Sequence, residues 1–367
     1  MSKPKKPHLL RTLFLSLNLI AAIALIGTYL PAYIAPSVSP FISLFGLIYP
    51  ILLYINLGFV LFWLIFRYKL ALVSVIVILA GYNNLMNNFH FNLFKGGVYQ
   101  GTTLKVLTYN VQTFGLTEGK GEGESNRNKI LYFLKNENPH ITCLQEYRSE
   151  GKTRYEPLKN MKDTLNVGTY YYESYFSPKY NQLSGLVIFS KFSAVDKGKL
   201  KFKGSRTFGI YADLLIGNDT VRVYNIHLAS IQLLPSDIEF VVSAGQEEKG
   251  AFAPHLHKIY DKLTDAFILR EKQIDYLTRQ LDSCRFTVIM CGDFNDTPSS
   301  YVYNQIISKL KDSFKEKGKG ISTSYAGEIP FLRIDYIFTS KPVNTFRFQR
   351  YKVGFSDHFP VSAMITI

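Results

Sequence analysis

No aspartate or glutamate occurs in the first hundred positions of this chain, and the same stretch carries apolar runs as long as a bilayer is thick. Such a segment does not fold as an ordinary soluble domain, because nothing in it supplies a polar face. Thr12 to Leu30, TLFLSLNLIAAIALIGTYL, spans a hydrocarbon core of ~30 Å at ~1.5 Å per residue. It lacks a small-residue cleavage site and more membrane-like sequence follows, so a cleaved leader is not expected. Phe41 to Phe66 is a second span, with Tyr49, Tyr54 and Trp63 in reach of interfaces and Pro50 as a tolerated kink. Leu70 to Gly81 is a shorter third run, followed by YNNLMNNFHFNLF, whose Asn83, Asn84, Asn87, Asn88 and Asn92 are costly in lipid. A third crossing is expected there, with a re-entrant turn or an interfacial helix as the alternatives.

Charge orients this segment. Its basic residues are Lys3, Lys5, Lys6, Arg11, Arg67, Lys69 and Lys95, half of the net charge of +14. The amino-terminal KPKKPHLLR and the RYK between the second and third runs belong on the cytoplasmic side. Three crossings then place the chain from about residue 102 outside the cytoplasm, in the periplasm of a bacterial inner membrane; two would leave it inside. No ionisable residue lies in mid-span, which favours an anchor over a transporter.

From Thr102 the texture changes to short apolar runs between polar turns. LKVLTYNV (104–111), HITCLQE, SGLVIFS (184–190), YADLLIG, VRVYNIHL (221–228), FTVIMCG, RIDYIF (333–338) and PVSAMITI read as strands. Ile130, Phe133 and Leu134 mark one helix, and Leu263 to about Asp282 a longer one. Many strands with few helices predict stacked sheets flanked by helices. The expected division is an anchor over 1–94, a linker over 95–103 and one domain over 104–367. Cys143, Cys284 and Cys291 form no even framework, and the first and last sit inside strand-like runs as small buried thiols.

The strand ends carry polar groups. Asn110 ends the first strand and Glu146 the second. His227 lies near the end of VRVYNIHL, Asp293 and Asn295 follow VIMCG, Asp335 sits in RIDYIF, and Asp357 with His358 stand in SDHFPV. Each has an ordinary alternative: Asn110 as a turn residue, His227 as a core histidine, Asp335 as the partner of Arg333, SDH as a solvated loop. Gly292 is expected to permit a sharp exit from its strand, and Asp296 to serve the turn before Pro298. The set points further than its members.

In the order TYNV, LQE, SGLVIFS, NIHL, GDFND, RIDYIF, SDHFPV, over about residues 102–367, the chain resembles the endonuclease/exonuclease/phosphatase superfamily, here as a membrane-anchored bacterial type. The resemblance implies an α/β four-layer αββα sandwich of two mixed sheets flanked by helices, preceded by the transmembrane segment. It also implies hydrolysis of phosphodiesters or phosphomonoesters with Mg²⁺ or Mn²⁺. A hard cation held by carboxylates neutralises the charge that otherwise repels the nucleophile. On this resemblance Glu146, with Asn110 and Asp357, holds the metal. Asp293 orients or deprotonates the attacking water and Asn295 fixes water or phosphate. His358, oriented by Asp335, donates to a phosphoryl oxygen, and His227 stabilises the phosphate or protonates the leaving group.

The family's branches differ at NIHL, where His227 stands as in its deoxyribonuclease, sphingomyelinase and phosphoinositide members. Ala229 to about Asp261 forms an unusual segment, a candidate rim in which His255 and His257 are expected as solvent-facing loop histidines. Lys199, Lys201 and Lys203 alternate on one strand face, either steering phosphates, touching anionic lipid heads or guarding a sheet edge. The expected partners are the membrane and a phosphate-ester substrate, nucleic acid or phospholipid, with no obligatory protein partner. A silent, membrane-tethered binding domain is the reading from another class.

Overall fold

Two-residue alternation along the strands explains how the polypeptide layers. Val106 and Ile289 face one side of their strands, while Leu107 and Met290 face the other, and all four are buried. The computed structural model describes residues 6–91, 101–118, 123–148, 161–177, 182–231, 233–243 and 252–367. Expectations for residues 92–100 within the linker, including Asn92 and Lys95, and for 244–251 within the rim segment lie outside the described residues.

Among the described residues, twelve strands form two six-stranded sheets. The first has the order β11 (Asn344–Arg350), β12 (Val361–Thr366), β1 (Thr103–Asn110), β2 (Ile141–Tyr147), β4 (Gln182–Ser190), β3 (Thr169–Ser177). The second runs β5 (Ala194–Lys201), β6 (Phe208–Ile216), β7 (Asp219–His227), β8 (Thr287–Asp293), β10 (Asp335–Thr339), β9 (Lys311–Asp312). Each sheet has one parallel pair, β1 with β2 and β7 with β8, among antiparallel neighbours. Both sheets are therefore mixed.

Three apolar clusters mark the layers. Val106, Cys143 and Ile188 meet Ile210, Val223 and Ile289 between the sheets. Leu107, Leu144 and Val187 pack outward against Ile130 and Leu134 of α5 (Gly123–Glu137). Tyr224, Met290 and Phe338 pack outward against the α7 helix (Phe252–Ser283) and α8 (Tyr301–Lys309). The expected αββα sandwich is what the chain forms. Helix α7 starts well before Leu263, so His255 and His257 lie on a helix rather than a loop. His255 pairs with the buried Asp237 on α6 (Pro235–Val242) at 3.0 Å, which corrects the expectation of solvent exposure for it, while His257 is exposed.

Helices α1 (Lys6–Gly27), α2 (Pro40–Phe66) and α3 (Tyr68–Ala80) form a bundle, and α4 (Tyr82–Asn88) bends away from α3 by 71°. Among the described residues, two helices are long and apolar enough to cross a membrane, or three if the bent pair makes one span. A polar chain ties the bundle together. Trp63 Nε1 donates to Asn18 Oδ1 (3.0 Å), Asn18 Nδ2 to Ser74 Oγ (2.6 Å), and Ser74 Oγ to Asn56 Oδ1 (3.0 Å). In lipid, polar groups find partners only within the protein, so this chain fixes the three helices against one another.

The bundle docks on the sandwich through its polar end. Helix α2 continues through Pro50, whose missing N–H leaves the carbonyl of Gly46 without a helical donor. Thr297 Oγ1 donates to that carbonyl at 3.2 Å, and a Cβ on Gly46 would come within 3.3 Å of Ser299 O. Asn88 Nδ2 donates to Ser299 Oγ at 3.0 Å. Ser37 donates through its backbone N–H and its hydroxyl to the two Glu271 oxygens, each at 2.7 Å. Buried Arg333 donates to Asn87 O and to Asp312 Oδ2, both at 2.8 Å, so it is not the partner of Asp335. Asn87 and Asn88, two of the asparagines that are costly in lipid, thus form part of a docking collar.

Candidate active site

A parallel pair brings two strand ends to the same edge, and the stacked sheets bring both pairs together. Asn110 is the last residue of β1, Glu146 the penultimate of β2, His227 the last of β7 and Asp293 the last of β8. Asp335 opens β10 opposite Asp293, and Asp357 and His358 precede β12, which runs beside β1. The residues expected from the strand ends therefore converge from both sheets.

Backbone geometry aims them. Glu146 has φ 51° and Asn295 φ 52°, a region that costs a non-glycine residue of order 1 kcal/mol or more and that persists where the surroundings impose it. The β2–β4 register shifts between Leu144 and Tyr147, turning Glu146 out of the pleat. Gly292 has φ 143°, and a Cβ there would lie 1.9 Å from Ile226 O. It lies within β8, so its role is close approach of β7 and β8, not the exit turn expected from the sequence; it sets His227 opposite Asp293.

Asp293 is the hub. Its Oδ2 accepts from Asn110 Nδ2 at 3.0 Å and lies 3.7 Å from His227 Nε2 and 3.8 Å from His358 Nε2. Its Oδ1 accepts the backbone N–H of Asn295 at 2.9 Å. Asn110 Nδ2 also reaches Glu146 Oε1 at 3.3 Å, and His227 Nε2 stands 3.8 Å from the same oxygen. His358 Nδ1 and Asp335 Oδ2 are paired at 2.8 Å, and His358 Nε2 lies 4.0 Å from Asp357 Oδ1. Asn295 Nδ2 donates to Leu228 O at 3.1 Å, tying the exits of β7 and β8 together.

Burial and like charge shape the titration. Burial pulls the His358 imidazolium down, but Asp335 and Asp293, then Asp357, outweigh it and hold it well above the ordinary value. Burial raises the Asp293 carboxyl, against the pull of His358 and His227. Asp357 is pushed up to about 6, chiefly by burial, with Glu146 and Asp293 adding to it. Among the described residues none of Glu146, Asp293, Asp335 and Asp357 has a lysine or arginine as ion-pair partner.

That imbalance fits a cation. Asp335 Oδ1 and both ring nitrogens of His227 are buried without hydrogen-bond partners, and the carboxylate and amide oxygens around Asp293 form a hard donor set suited to Mg²⁺ or Mn²⁺. Asp293, Asp335 and His358 form a buried group with ligand atoms all within 4.8 Å of one another. Its closeness owes much to the His358–Asp335 hydrogen bond, which occupies two of those groups with each other.

Two further layers escaped the sequence reading. Directly beneath Glu146 and His227, Gln145 Nε2 donates to Asn225 Oδ1 at 2.6 Å, and Asn225 Nδ2 donates to Leu144 O and Val187 O, both at 2.9 Å. This buried tie joins the two sheets one residue below the site. Asp296, assigned to turn chemistry, does accept from Thr297 N, but it is also buried against Arg270, whose Nε lies 3.1 Å away. Arg270 interrupts the apolar stripe Phe267, Ile274, Leu277, and that interruption was the available signal.

Comparison with known proteins follows this geometry. No curated protein matches the chain at the sequence level. Residues 11–88 match the family described as Domain of unknown function (DUF8431). Among solved structures, an endonuclease/exonuclease/phosphatase family protein from Bacteroides thetaiotaomicron is similar at 18% identity and a TM-score of 0.52, over 73% of this chain and 99% of that one. The human Nocturnin catalytic domain with bound sulfate is similar at 17% identity and a TM-score of 0.52, over 73% and 96%. The fold is shared with both. Residues 107–358 match the Endonuclease/Exonuclease/phosphatase family, and the chain belongs to that family.

Proposed function

We propose that this protein is a membrane-anchored, divalent-metal-dependent phosphoesterase. The observation that carries the reading is the gathering of Glu146, Asp335 and Asp357 around Asp293, with the His358 imidazolium held charged among them and, among the described residues, no lysine or arginine paired to any of the four carboxylates. A site so negative repels a phosphate ester unless a cation offsets it. Glu146, Asn110 and Asp357 would hold Mg²⁺ or Mn²⁺, which supplies charge neutralisation at the phosphoryl oxygens.

The chain's own residues do the remaining work. Asp293, raised by burial, orients and deprotonates an attacking water, and Asn110 and the Asn295 N–H keep its two oxygens in place. His358 donates from Nε2 to a phosphoryl oxygen as charge develops, with Asp335 holding Nδ1. His227 stands across from it to stabilise the phosphate or protonate the leaving oxygen.

The bundle's orientation belongs to the same reading. Tyr29 pairs with Tyr49, and Phe14 with Phe62, so α1 and α2 run antiparallel. Arg67 follows α2 and Lys69 lies in the first turn of α3, at the end of the bundle opposite the collar that meets the sandwich. Charge bias puts that basic end in the cytoplasm and the sandwich outside it, with α3 as a short crossing. Asp293→Asn and His358→Ala are each expected to remove hydrolysis of phosphate esters while the protein still folds, as cooperative thermal unfolding reads; a parent-rate variant refutes the assignment.

A further inference from the structure

The segment between Tyr325 and Arg333 closes on itself and reaches two places at once. Ser324 N and Tyr325 N both donate to Leu332 O, at 2.9 and 3.1 Å, pinching its base. On the site side, the Tyr325 ring stands edge-on to His358 at 5.6 Å, Ala326 N donates to Asp357 O at 2.7 Å, and Ser324 Oγ accepts from Asp335 N at 2.9 Å. On the other side, Pro330 and Phe331 are exposed, Phe331 is held at φ 65°, and its ring lies 5.6 Å from that of Tyr54 on α2.

Tyr54 fixes the depth of this contact. It lies eight residues beyond Gly46, about 12 Å further along the helix axis, and about 20 Å from Arg67. A hydrocarbon core of ~30 Å that ends near Arg67 therefore begins on the sandwich side of Tyr54. Side chains lean toward the helix N-terminus, so the Tyr54 ring and Phe331 meet within about 10 Å of the acyl boundary, on its hydrocarbon side. The exposed Glu328, three residues before Phe331, belongs at the headgroup level, since a carboxylate in hydrocarbon is expensive.

We propose that the 326–331 loop is a lipid-contacting wedge and that the phosphate ester cleaved at this site is the headgroup of a lipid in the adjoining leaflet. The proposal rests on the membrane-anchored phosphoesterase reading and names its substrate class. An apolar tip continuous with the membrane-spanning surface, on a loop whose base touches His358, Asp357 and Asp335, delivers a bilayer-borne ester to those groups. A soluble polyanion such as nucleic acid gains nothing from it.

The test uses the full chain in phospholipid nanodiscs. Parent and Phe331→Ser are compared on headgroup release from the nanodisc's own phospholipid, on soluble bis(p-nitrophenyl) phosphate, and on duplex DNA. Loss of one lipid-embedded phenyl ring is expected to slow lipid hydrolysis about tenfold or more while the soluble ester is cleaved within about twofold of parent. Equal loss on both, loss on neither, or DNA cleaved faster than lipid overturns the proposal. A second measurement stands apart from catalysis: a fluorophore on Phe331→Cys, in a Cys284→Ser background, is expected to be quenched by brominated acyl chains. Absence of quenching overturns the wedge, whereas a parent protein inert on every ester defeats the phosphoesterase reading while the quenching result still decides the wedge.

Discussion

Replacing Arg270 with methionine removes the partner of a carboxylate that cannot reach water. Arg270 is fully buried; its Nε lies 3.1 Å from Asp296 Oδ2 and its Nη1 donates to Ala229 O at 2.9 Å. Asp296 is 4% exposed, and burial already raises its carboxyl despite the pull of Arg270. Breaking a buried pair by removing one partner costs about 3–5 kcal/mol. For a domain of about 250 residues, at about 2–4 °C per kcal/mol, that is a fall in Tm of roughly 6–20 °C. The sign with pH follows from the raised carboxyl. The folded state keeps the proton where the unfolded chain has lost it, so stability falls as pH rises from about 4 through the folded-state pKa, which removal of Arg270 lifts further. The variant's deficit, read by thermal unfolding of the full chain in detergent, is therefore larger at neutral than at mildly acidic pH. Adding Asp296→Leu removes the stranded charge and is expected to restore most of the loss. A shift under about 2 °C, or one indifferent to pH, refutes the reasoning.

Thr297→Val strands the Gly46 carbonyl and is expected to cost about 1–3 kcal/mol. In a Pro50→Ala background the helix supplies its own donor, so the same change costs less, and a double-mutant cycle in thermal unfolding reads the difference. Asp335→Asn removes the first carboxylate that holds His358 charged. The imidazolium is then lost at lower pH, so the alkaline limb of the pH–rate profile moves down and the rate at neutral pH falls about 10²- to 10⁴-fold. Asp357, pushed up to about 6, must give up its proton to bind a cation. Mn²⁺ affinity, measured by calorimetry, is therefore expected to fall by up to about tenfold per pH unit below that value, and a flat profile removes Asp357 from the ligand set.

Much of this site was legible because strands write their ends into the sequence. A run such as VIMC followed by Gly292 and Asp293 locates a polar group at a strand terminus whatever its neighbours, and the ordered stretches did the same for Asn110, Glu146 and His227. The sequence was silent on contacts between distant layers. Strand β3 and strand β11 escaped notice because TYYYESYFS and NTFRFQR mix polar and aromatic residues at a sheet edge, where burial is partial. The pairing of Arg333 with Asp312 rather than Asp335 depends on which strand faces α4. The union of bundle and sandwich depends on a carbonyl that Pro50 leaves free and a threonine some 250 residues later in the chain that takes it. Only the assembled chain brings such groups together.

The central claim is that this site hydrolyses phosphate esters with a divalent cation, and the most direct test strips the detergent-solubilised full chain with EDTA and follows a chromogenic phosphodiester as Mg²⁺ or Mn²⁺ is added back. The account predicts no turnover in EDTA, recovery with either cation and none from Asp293→Asn at any concentration. Turnover at full rate in EDTA, or none from a folded and metal-loaded parent across soluble and lipid esters, contradicts it.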